Sequence, residues 1–408
     1  MVDRIVVAGG GFAGLWAAAA AARARDLAGR SAETLDIVLV DPSAFHTIRV
    51  RCYEADLAPV RIPLASLLDP IGVRHAPAEV VGIDPAGRTV TLSGSPTPLP
   101  YGQLVLATGS ALAPPPVPLR GPTFDVDTFA GGERLHAHLL ALGAGAATGS
   151  ARTAVVVGGG SVGIEIACEL PGRLQALFPG AGAIRVVLID RGEAGSWMGQ
   201  GAPRVREALA ACGVEILSHT PVASIDPDGV TLGDGSRIVA STVVLATGMR
   251  ASPIAATLGV PCDRQGRLSV DRFLAVEGLA AVHAAGDCAS ALADDAGHRT
   301  LMSCQHARPM GRIAGHNAAC DLLGRPDERV AFSAPDYVTV LDLGPQGALY
   351  TSGWDRDTIV ATGDKAKGVK RTINGSRIYP PDPPTREAMF AAAAPIIQAR
   401  PAAASGTA

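Results

Sequence analysis

One segment of this chain occurs twice, and the repeat constrains the fold more than any other feature. RIVVAGGGFAGLWAAAAA at residues 4–21 returns as TAVVVGGGSVGIEIACEL at residues 153–170. Each copy is a β-branched run, a G-x-G-x-x-G fingerprint and an apolar helix, and each is followed by a strand ending in an acid, at Asp41 and Asp190. A hairpin pattern and an Ala-Thr-Gly segment then recur in the same order. The repeat predicts two β-α-β units, each with a short meander before its last strand.

The glycines of each fingerprint have separate physical purposes. One makes a tight turn, one lets the backbone approach a pyrophosphate, and one permits close packing of the helix on the strand. The helix dipole and the N–H groups of the first turn then favour an anion. A carboxylate at Asp41 or Asp190 is placed to accept the ribose hydroxyls of an adenosine. A lone fingerprint is a weak signal, but two complete patterns predict two bound dinucleotides.

Length, charge and cysteine usage narrow the class of protein. A chain of 408 residues predicts two to three domains, and a net charge of −3 argues against nucleic acid as a partner. The seven cysteines include no CxxC pair, so neither a disulfide scaffold nor a metal site is predicted. The N-terminus runs directly into a strand, and the apolar run Leu15–Ala22 is too short to span a bilayer. We therefore expect a cytoplasmic protein.

The order of the motifs resembles a known superfamily. Fingerprint, Ala-Thr-Gly, fingerprint, Ala-Thr-Gly and the Gly-Asp of AAGDCA follow one another over roughly residues 1–330, as in the flavoproteins of the pyridine nucleotide-disulfide oxidoreductase superfamily. The resemblance implies an α/β fold with two Rossmann-like dinucleotide-binding domains and a small C-terminal cap. The FAD domain (1–118 and 251–330) is expected to be split by an inserted NAD(P)H domain (119–250). The cap is expected at 331–385, and a tail with a disordered end at 386–408.

The same resemblance assigns residues to the two cofactors. The residues expected at FAD are Gly9, Gly11, Phe12, Ala13, Gly14, Asp41, His46, Thr108, Gly109, Gly286, Asp287 and Ala307. Those expected at NADH are Gly158, Gly160, Ser161, Val162, Gly163, Glu165, Asp190, Thr247 and Gly248. NADPH is less favoured because Asp190 should repel a 2′-phosphate, and the adjacent Arg191 is interpreted as solvated.

The branch of the superfamily follows from the segments around the flavin. The CxxxxC pair of the dithiol reductases is missing, whereas DPSAFH, Tyr53, TGMRASPI and CQHARPMG resemble the type II NADH dehydrogenase-like flavoproteins. Residues 336–354 resemble their flavin-covering domain. The implied activity is transfer of a hydride from NADH to FAD and then of electrons to a quinone or quinone-like small molecule. No redox disulfide takes part.

The acceptor side is predicted at a helix that opens at Gln305. Quinone-reducing relatives begin this helix Ala-Gln-x-Ala-x-Gln; Gln305 and Ala307 match, but Cys304 and Pro309 depart from the pattern. Gln305 is therefore the residue predicted to meet the flavin or acceptor, with quinone specificity left open. A Cys304–His306 nucleophilic pair is disfavoured because residues two apart on a helix face different directions.

Several alternatives stay open on the sequence alone. Arg308 and Arg312 share a helix face, and either cover the surface with their stems or support an anionic substrate or a reduced flavin. The only lysines, Lys365, Lys367 and Lys370, are interpreted as a solvated run, with contact to a membrane or the flavin edge as the alternative.

The function and the assembly also have alternatives. A peroxide or disulfide reductase using Cys52, a biosynthetic flavoenzyme acting on a specific metabolite, and an NADH-sensing flavoprotein are the competing functions. A homodimer is an open possibility for the assembly. The C-terminal stretch from Pro380 is rich in Pro and Ala and makes a poor membrane anchor, so at most weak peripheral association is expected.

Overall fold

The computed structural model of the chain describes residues 3–145, 148–180 and 182–397. The end of the expected tail, after about Arg400, therefore lies outside the described residues. Two Rossmann-like units and a smaller antiparallel sheet make up the molecule, which confirms the α/β fold class. Within the described part of the chain, no helix has both the length and the apolar character needed to cross a membrane.

The first Rossmann-like unit forms around a parallel sheet. Its β-branched strands are buried on both faces, as expected for a sheet covered by helices on each side. Strands β9, β1, β2 and β5 lie side by side in that order, while β3–β4 and β6–β7–β8 are antiparallel. The elements are β1 (Arg4–Ala8), α1 (Phe12–Leu27), β2 (Asp36–Val40), β3 (Phe45–Thr47), β4 (Arg61–Pro63), α2 (Leu64–Leu68), β5 (Arg74–Ala76), β6 (Val80–Asp84), β7 (Thr89–Leu92), β8 (Leu99–Pro100), β9 (Gln103–Leu106) and β10 (Ser110–Leu112).

The second Rossmann-like unit repeats the first on a smaller scale. Its parallel strands lie in the order β13, β12, β11, β17, and a meander of β14, β15 and β16 precedes the last strand, as the repeat predicts. The elements are α3 (Phe129–Ala144), β11 (Thr153–Val157), α4 (Ser161–Leu177), β12 (Arg185–Ile189), α5 (Ala202–Ala211), β13 (Val214–Leu217), β14 (Val222–Asp226), β15 (Gly229–Leu232), β16 (Arg237–Val239) and β17 (Thr242–Leu245).

The chain then returns to the first unit. Strand β18 pairs antiparallel with β10, so the segments that leave and re-enter the first unit lie side by side. Strand β20 pairs with β9 and completes a five-stranded parallel sheet. The returning elements are β18 (Met249–Ala251), β19 (Leu268–Ser269), β20 (Val282–Ala284), β21 (Ala289–Ser290) and α6 (Cys304–Leu322).

Helix α6 packs unusually closely on α1. A Cβ added at Gly311 or Gly315 would overlap the backbone carbonyls of Ala13 and Ala17, so glycine is required at both positions of α6. This contact fixes the N-terminus of α6 beside the first fingerprint, because Ala13 lies in the first turn of α1.

The last part of the chain forms a cap and a terminal helix. Strands β22 (Val338–Asp342), β23 (Ala348–Ser352) and β24 (Thr358–Thr362) make an antiparallel sheet, followed by α7 (Gly363–Thr372). The expected tail begins with a helix, α8 (Arg386–Ala392), whose Met389 is buried in the core of the first unit.

Candidate active site

A cleft of about 810 Å³ lies between the two Rossmann-like units and the cap. Both fingerprint loops open into it, as does the N-terminus of α6. The site residues predicted from the sequence that line it are Gly11, Phe12, Ala13, Gly109, Gly160, Ser161, Val162, Glu165, Gly286, Asp287, Gln305 and Ala307. The predicted residues outside this lining are Gly9, Gly14, Asp41, His46, Thr108, Gly158, Gly163, Asp190, Thr247 and Gly248.

The fingerprint loops have the shape of an anion cradle. A Cβ at Gly14 would collide with the carbonyl oxygen of Gly9, and one at Gly163 with that of Gly158. The first helical turns of α1 and α4 have no side-chain cap, which leaves their N–H groups for a ligand. A Cβ at the N-cap glycine of either helix would meet open space, so a phosphate has room there. The cradles therefore fit the pyrophosphate of a dinucleotide.

The two acids hold equivalent positions in the repeat. Asp41 accepts the N–H of Gly10 at 2.6 Å and that of Ser43 at 2.8 Å. Asp190 accepts the N–H of Gly159, the residue between the first two glycines of the second fingerprint, at 2.5 Å, and the N–H of Gly192 at 2.6 Å. Each carboxylate oxygen keeps a further lone pair for a ribose hydroxyl. The acids are thus fixed beside the loops before any ligand binds.

His46 contacts the first fingerprint loop from the protein interior. It is fully buried, its ring packs edge-on against Phe12, and its Nδ1–H donates to the carbonyl of Gly10 at 2.9 Å. Burial lowers the pKa of His46 to about 4, so the imidazole is neutral at physiological pH. His46 is therefore placed to orient the fingerprint loop and does not line the cleft itself.

The Gly-Asp motif closes the first site from the opposite side. Gly286 has a φ of 76°, a backbone conformation that favours glycine. Asp287 accepts a hydrogen bond from Ser110 at 2.6 Å, and the guanidinium of Arg49 lies 3.8 Å from the same carboxylate. Arg49, which the sequence reading did not assign to this site, also donates to the carbonyl of Ser110.

The N-terminus of α6 presents backbone and amide groups to the cleft. Ser303 caps the helix by accepting the N–H of His306. The amide N–H of Gln305 donates to the carbonyl of Asp336 in the segment before the cap sheet, at 3.1 Å. That contact orients the side-chain amide and leaves its carbonyl oxygen available to a ligand. Ala307 lies one turn inside the helix and is almost fully buried.

Cys304 and His306 do not form a nucleophilic pair. Burial raises the pKa of the Cys304 thiol and lowers that of His306 to about 4, so both are neutral at physiological pH. The Nδ1 of His306 accepts the N–H of Leu301 at 2.9 Å, and its ring stacks on Tyr337 at 5.4 Å. The arrangement agrees with the sequence argument against nucleophilic chemistry at these positions.

A buried ion pair joins the second fingerprint helix to the cap. Lys370 of α7 donates to Glu165 of α4 at 2.8 Å, and the two side chains are 11% and 8% exposed. Burial raises the pKa of Glu165, whereas the Glu165 charge raises that of Lys370 against the effect of burial. Lys367 pairs with Asp342 at 2.5 Å. The interpretation of the lysines as a solvated run is therefore wrong for Lys367 and Lys370 and holds for Lys365 alone.

Two arginines of α6 are buried against the first fingerprint helix. The side chains of Arg308 and Arg312 are 6% and 1% exposed, and both guanidiniums lie over the ring of Trp16, at 5.4 and 4.8 Å. Arg308 also donates to the carbonyl of Arg377 at 2.7 Å. The interpretation of these arginines as surface-covering stems is wrong, because the helix that carries them is enclosed on this face.

Comparison with known proteins shows the family to which the chain belongs. Residues 3–311 match the family described as pyridine nucleotide-disulphide oxidoreductase. The chain belongs to this family.

Relatives within the pyridine nucleotide-disulphide oxidoreductases include quinone reductases. An NADH dehydrogenase-like protein of Mycobacterium tuberculosis is 51% identical over 405 residues, which are 98% of this chain and 100% of that protein. Demethylphylloquinone reductase of Synechocystis is 30% identical over 340 residues, covering 79% of this chain and 80% of that one. Among solved structures, NDH2 of Plasmodium falciparum has a TM-score of 0.78 at 11% identity and covers 95% of this chain and 97% of that one. The chain is an NAD(P)H oxidoreductase, and its resemblance to the type II NADH dehydrogenase-like proteins is confirmed.

For this oxidoreductase, one alternative function was a peroxide or disulfide reductase that uses Cys52 as a single redox cysteine. Cys52 is 1% exposed and lies outside the cleft lining of the described residues. Burial raises the pKa of its thiol to about 12, although the nearby Arg49 acts in the opposite direction. The thiolate needed to attack a disulfide or a peroxide is therefore scarce at neutral pH.

Other residues of this oxidoreductase were missed by the sequence argument. Arg356 of the cap lies over Trp197 of the second unit at 5.1 Å and over Tyr337 at 5.5 Å, bridging the two sides of the cleft. No local pattern marks such a contact. Lys370 carried a usable signal, since it is one of three lysines in a chain whose other cations are arginines. Trp16 carried a signal as well, because in the first copy of the repeat it stands at the position that Glu165 holds in the second copy.

Proposed function

We propose that the chain is an FAD-dependent oxidoreductase that oxidises NADH and reduces a quinone or quinone-like small molecule. FAD binds at the first fingerprint and NADH at the second, with domain boundaries as the sequence predicts. The observation that carries the proposal is the shared cleft: both fingerprint loops and the N-terminus of α6 open into one space. Two dinucleotides bound there would bring their reactive ends together.

The first unit supplies the groups that would hold FAD. The first-turn N–H groups of α1 take the pyrophosphate, and Asp41 takes the adenosine ribose. Asp287, oriented by Ser110, takes a ribityl hydroxyl. The N-terminus of α6 directs its positive dipole end into the cleft, where Ala307 and Gly286 allow close approach. When bound, FAD would supply the redox chemistry by accepting a hydride and passing on two electrons.

The second unit supplies the groups that would hold NADH. Ser161 and Val162 line the cleft at the start of α4, and Asp190 favours a free 2′-hydroxyl over a 2′-phosphate. Lys370 holds Glu165, and with it the fingerprint helix, against the cap. This pairing fixes the second site relative to the acceptor side.

The acceptor is proposed to meet α6 at Gln305. The amide of Gln305 is held by Asp336 and can direct its carbonyl oxygen toward a hydroquinone hydroxyl. Apolar side chains of the cleft, among them Val50, Ile373 and Ile378, suit a flat ring. A quinone acceptor also agrees with the activity named for the Synechocystis relative.

The deciding experiment is anaerobic rapid mixing of the FAD-loaded protein with NADH, followed by a steady-state screen of acceptors. We expect loss of the oxidised-flavin absorbance within the enzyme's turnover time and reoxidation by quinones. Peroxide and disulfide acceptors serve as the matched controls and should react poorly. A flavin that stays oxidised in the presence of excess NADH would overturn the proposal.

A further inference from the structure

The charge of Arg312 has no counterpart in the described protein. Its side chain is 1% exposed, and its Nε and Nη2 have no hydrogen-bond partner among the described residues. The charges that act on it are those of Arg377 and Arg308, two further cations. A buried charge is costly when neither an opposite charge nor a hydrogen bond compensates it.

Arg312 stays charged in spite of this cost. Burial and the neighbouring guanidinium lower its pKa to about 10, which is still well above neutrality. Arg308 lies one turn before it, over the same Trp16 ring. Two guanidiniums are thus held at fixed positions by one aromatic ring, within a helix that cannot shift without disturbing the Gly311 contact.

These arginines line the same cleft as the proposed acceptor site. Arg308, Pro309 and Arg312 are all part of the lining, next to the apolar side chains of Ile373 and Ile378. Apolar side chains beside two fixed guanidiniums are complementary to a ring that carries an acidic group. Pro309 occupies the place where the quinone-reducing pattern has its second glutamine, so a neutral hydrogen-bonding group is missing there, and Arg308 stands directly before it.

We propose that the acceptor of this enzyme is an acidic quinone, a quinonoid ring bearing a carboxylate or an ionised hydroxyl, and that Arg312 with Arg308 binds this anionic group. The inference rests on the proposed function and specifies the substrate class of the same site. The electron balance is that of any quinone reduction: NADH gives two electrons and one proton as a hydride, and the second proton of the hydroquinone comes from solvent. The acidic group keeps its charge throughout.

The test compares two probes that differ in charge but hardly in shape. 2-Carboxy-1,4-naphthoquinone and its carboxamide are offered to the holoenzyme, and the ratio of their kcat/KM values is measured. We expect a preference of at least about 30-fold for the carboxylate, mainly in KM, as for a buried charge-assisted pair. In Arg312→Gln the ratio should fall to near one, because kcat/KM for the carboxylate falls much more than kcat/KM for the carboxamide. Arg312→Lys, which keeps the charge, should retain part of the preference.

Binding without turnover gives an independent readout. The reduced compound 1,4-dihydroxy-2-naphthoate and its carboxamide are titrated calorimetrically into the FAD-loaded protein without NADH. The wild type and Arg204→Gln, a change at an exposed residue of α5 outside the cleft lining, should both bind the carboxylate more tightly. Arg312→Gln should lose the difference.

The outcomes separate failure of this inference from failure of the proposed function. Equal affinity of the wild type for carboxylate and carboxamide would overturn the acidic acceptor even if NADH reduces the flavin normally. Equal slowing of both probes by Arg312→Gln, together with a shifted flavin midpoint potential, would overturn it as well and assign the arginines to the flavin. Failure of NADH to reduce the flavin removes the proposed function and leaves the calorimetric comparison valid.

Discussion

Trp16 and Glu165 occupy the same position in the two halves of the repeat, two residues after the last fingerprint glycine. In the second unit Glu165 is paired with Lys370, a buried cation brought by the cap. In the first unit Trp16 offers a ring face to Arg308 and Arg312, which α6 brings. Both fingerprint helices therefore meet positive charge beside the cleft, but only the second one supplies a carboxylate at that position.

The difference separates a structural charge from a charge directed at a ligand. Lys370 is neutralised within the protein, so its main consequence is to hold the second unit and the cap together. Arg312 is stacked but not neutralised by any described residue, and we propose that its charge serves an anionic ligand in the cleft. The two copies of the fingerprint helix thus differ in purpose because the first carries Trp16 and the second Glu165 at the same position of the repeat.

The strongest way to test the two halves against each other is to fill the third glycine of each fingerprint. Gly14→Ala and Gly163→Ala each drive a methyl group into a backbone carbonyl. We expect Gly14→Ala to be purified without flavin absorbance. Gly163→Ala should keep the flavin and lose about 100-fold or more in kcat/KM for NADH, because a displaced ligand loses its productive geometry.

The control for these substitutions is Gly172→Ala, in the middle of α4, where an added Cβ meets nothing within 4 Å. It should fold and turn over like the wild type. Loss of flavin from Gly163→Ala, with flavin retained by Gly14→Ala, would reverse the assignment of the two sites.

Breaking the ion pair of the second unit should have the next largest effect. Glu165→Leu leaves the buried charge of Lys370 without its carboxylate partner, with only the carbonyl of Val340 as an acceptor, and should lower the free energy of unfolding by about 3–5 kcal/mol. Urea denaturation of the holoprotein measures it. The double variant Glu165→Leu/Lys370→Met removes both charges and should recover most of the loss. A double variant as unstable as the single one would show that packing, not charge, dominates at this position.

The acids at the ends of β2 and β12 allow a matched comparison of cofactor choice. Asp190→Ser removes the charge that repels a 2′-phosphate, and the ratio of kcat/KM for NADPH to that for NADH should rise about 10-fold. Asp41→Ser, the same change in the first unit, should weaken flavin retention and leave that ratio unchanged. An equal rise of the ratio in both variants would contradict the assignment of Asp190 to the nicotinamide cofactor.

Removing the uncompensated charge of Arg312 should not lower the stability of the protein, in contrast to the loss expected for Glu165→Leu. Arg312→Met keeps the stem and the contact with Trp16 and removes a buried charge that no described residue neutralises. We expect unfolding of the acceptor-free protein to cost about the same or ~1 kcal/mol more than in the wild type. The thermal midpoint measures it, with Arg204→Gln as the exposed control. A marked loss of stability would mean that the protein itself balances Arg312.

The contrast between the two units also marks where prediction from sequence ends. The fingerprints, the acids and the order of strands followed from local spacing, because a glycine turn and a strand end act over a few residues. The pairing of Glu165 with Lys370 spans 205 positions, and a charged run has the same pattern whether it is solvated or covered. The four-residue spacing of Arg308 and Arg312 predicted a shared face, but only the tertiary fold shows that Trp16 covers it.

The smallest expected effect concerns a thiol as an alternative source of negative charge in the first unit. Cys52 follows Arg49 and precedes Tyr53, so a thiolate there would supply both a nucleophile and a counter-charge. Because burial raises its pKa to about 12, the thiol stays neutral across the working pH range, and its fraction of thiolate at pH 7 is negligible. Cys52→Ala should therefore change kcat with quinones less than about twofold and leave the pH profile unchanged between pH 6 and 9. Loss of turnover in this variant with folding intact would favour the single-cysteine mechanism, and with it a first unit whose chemistry depends on sulfur instead of on the arginines of α6.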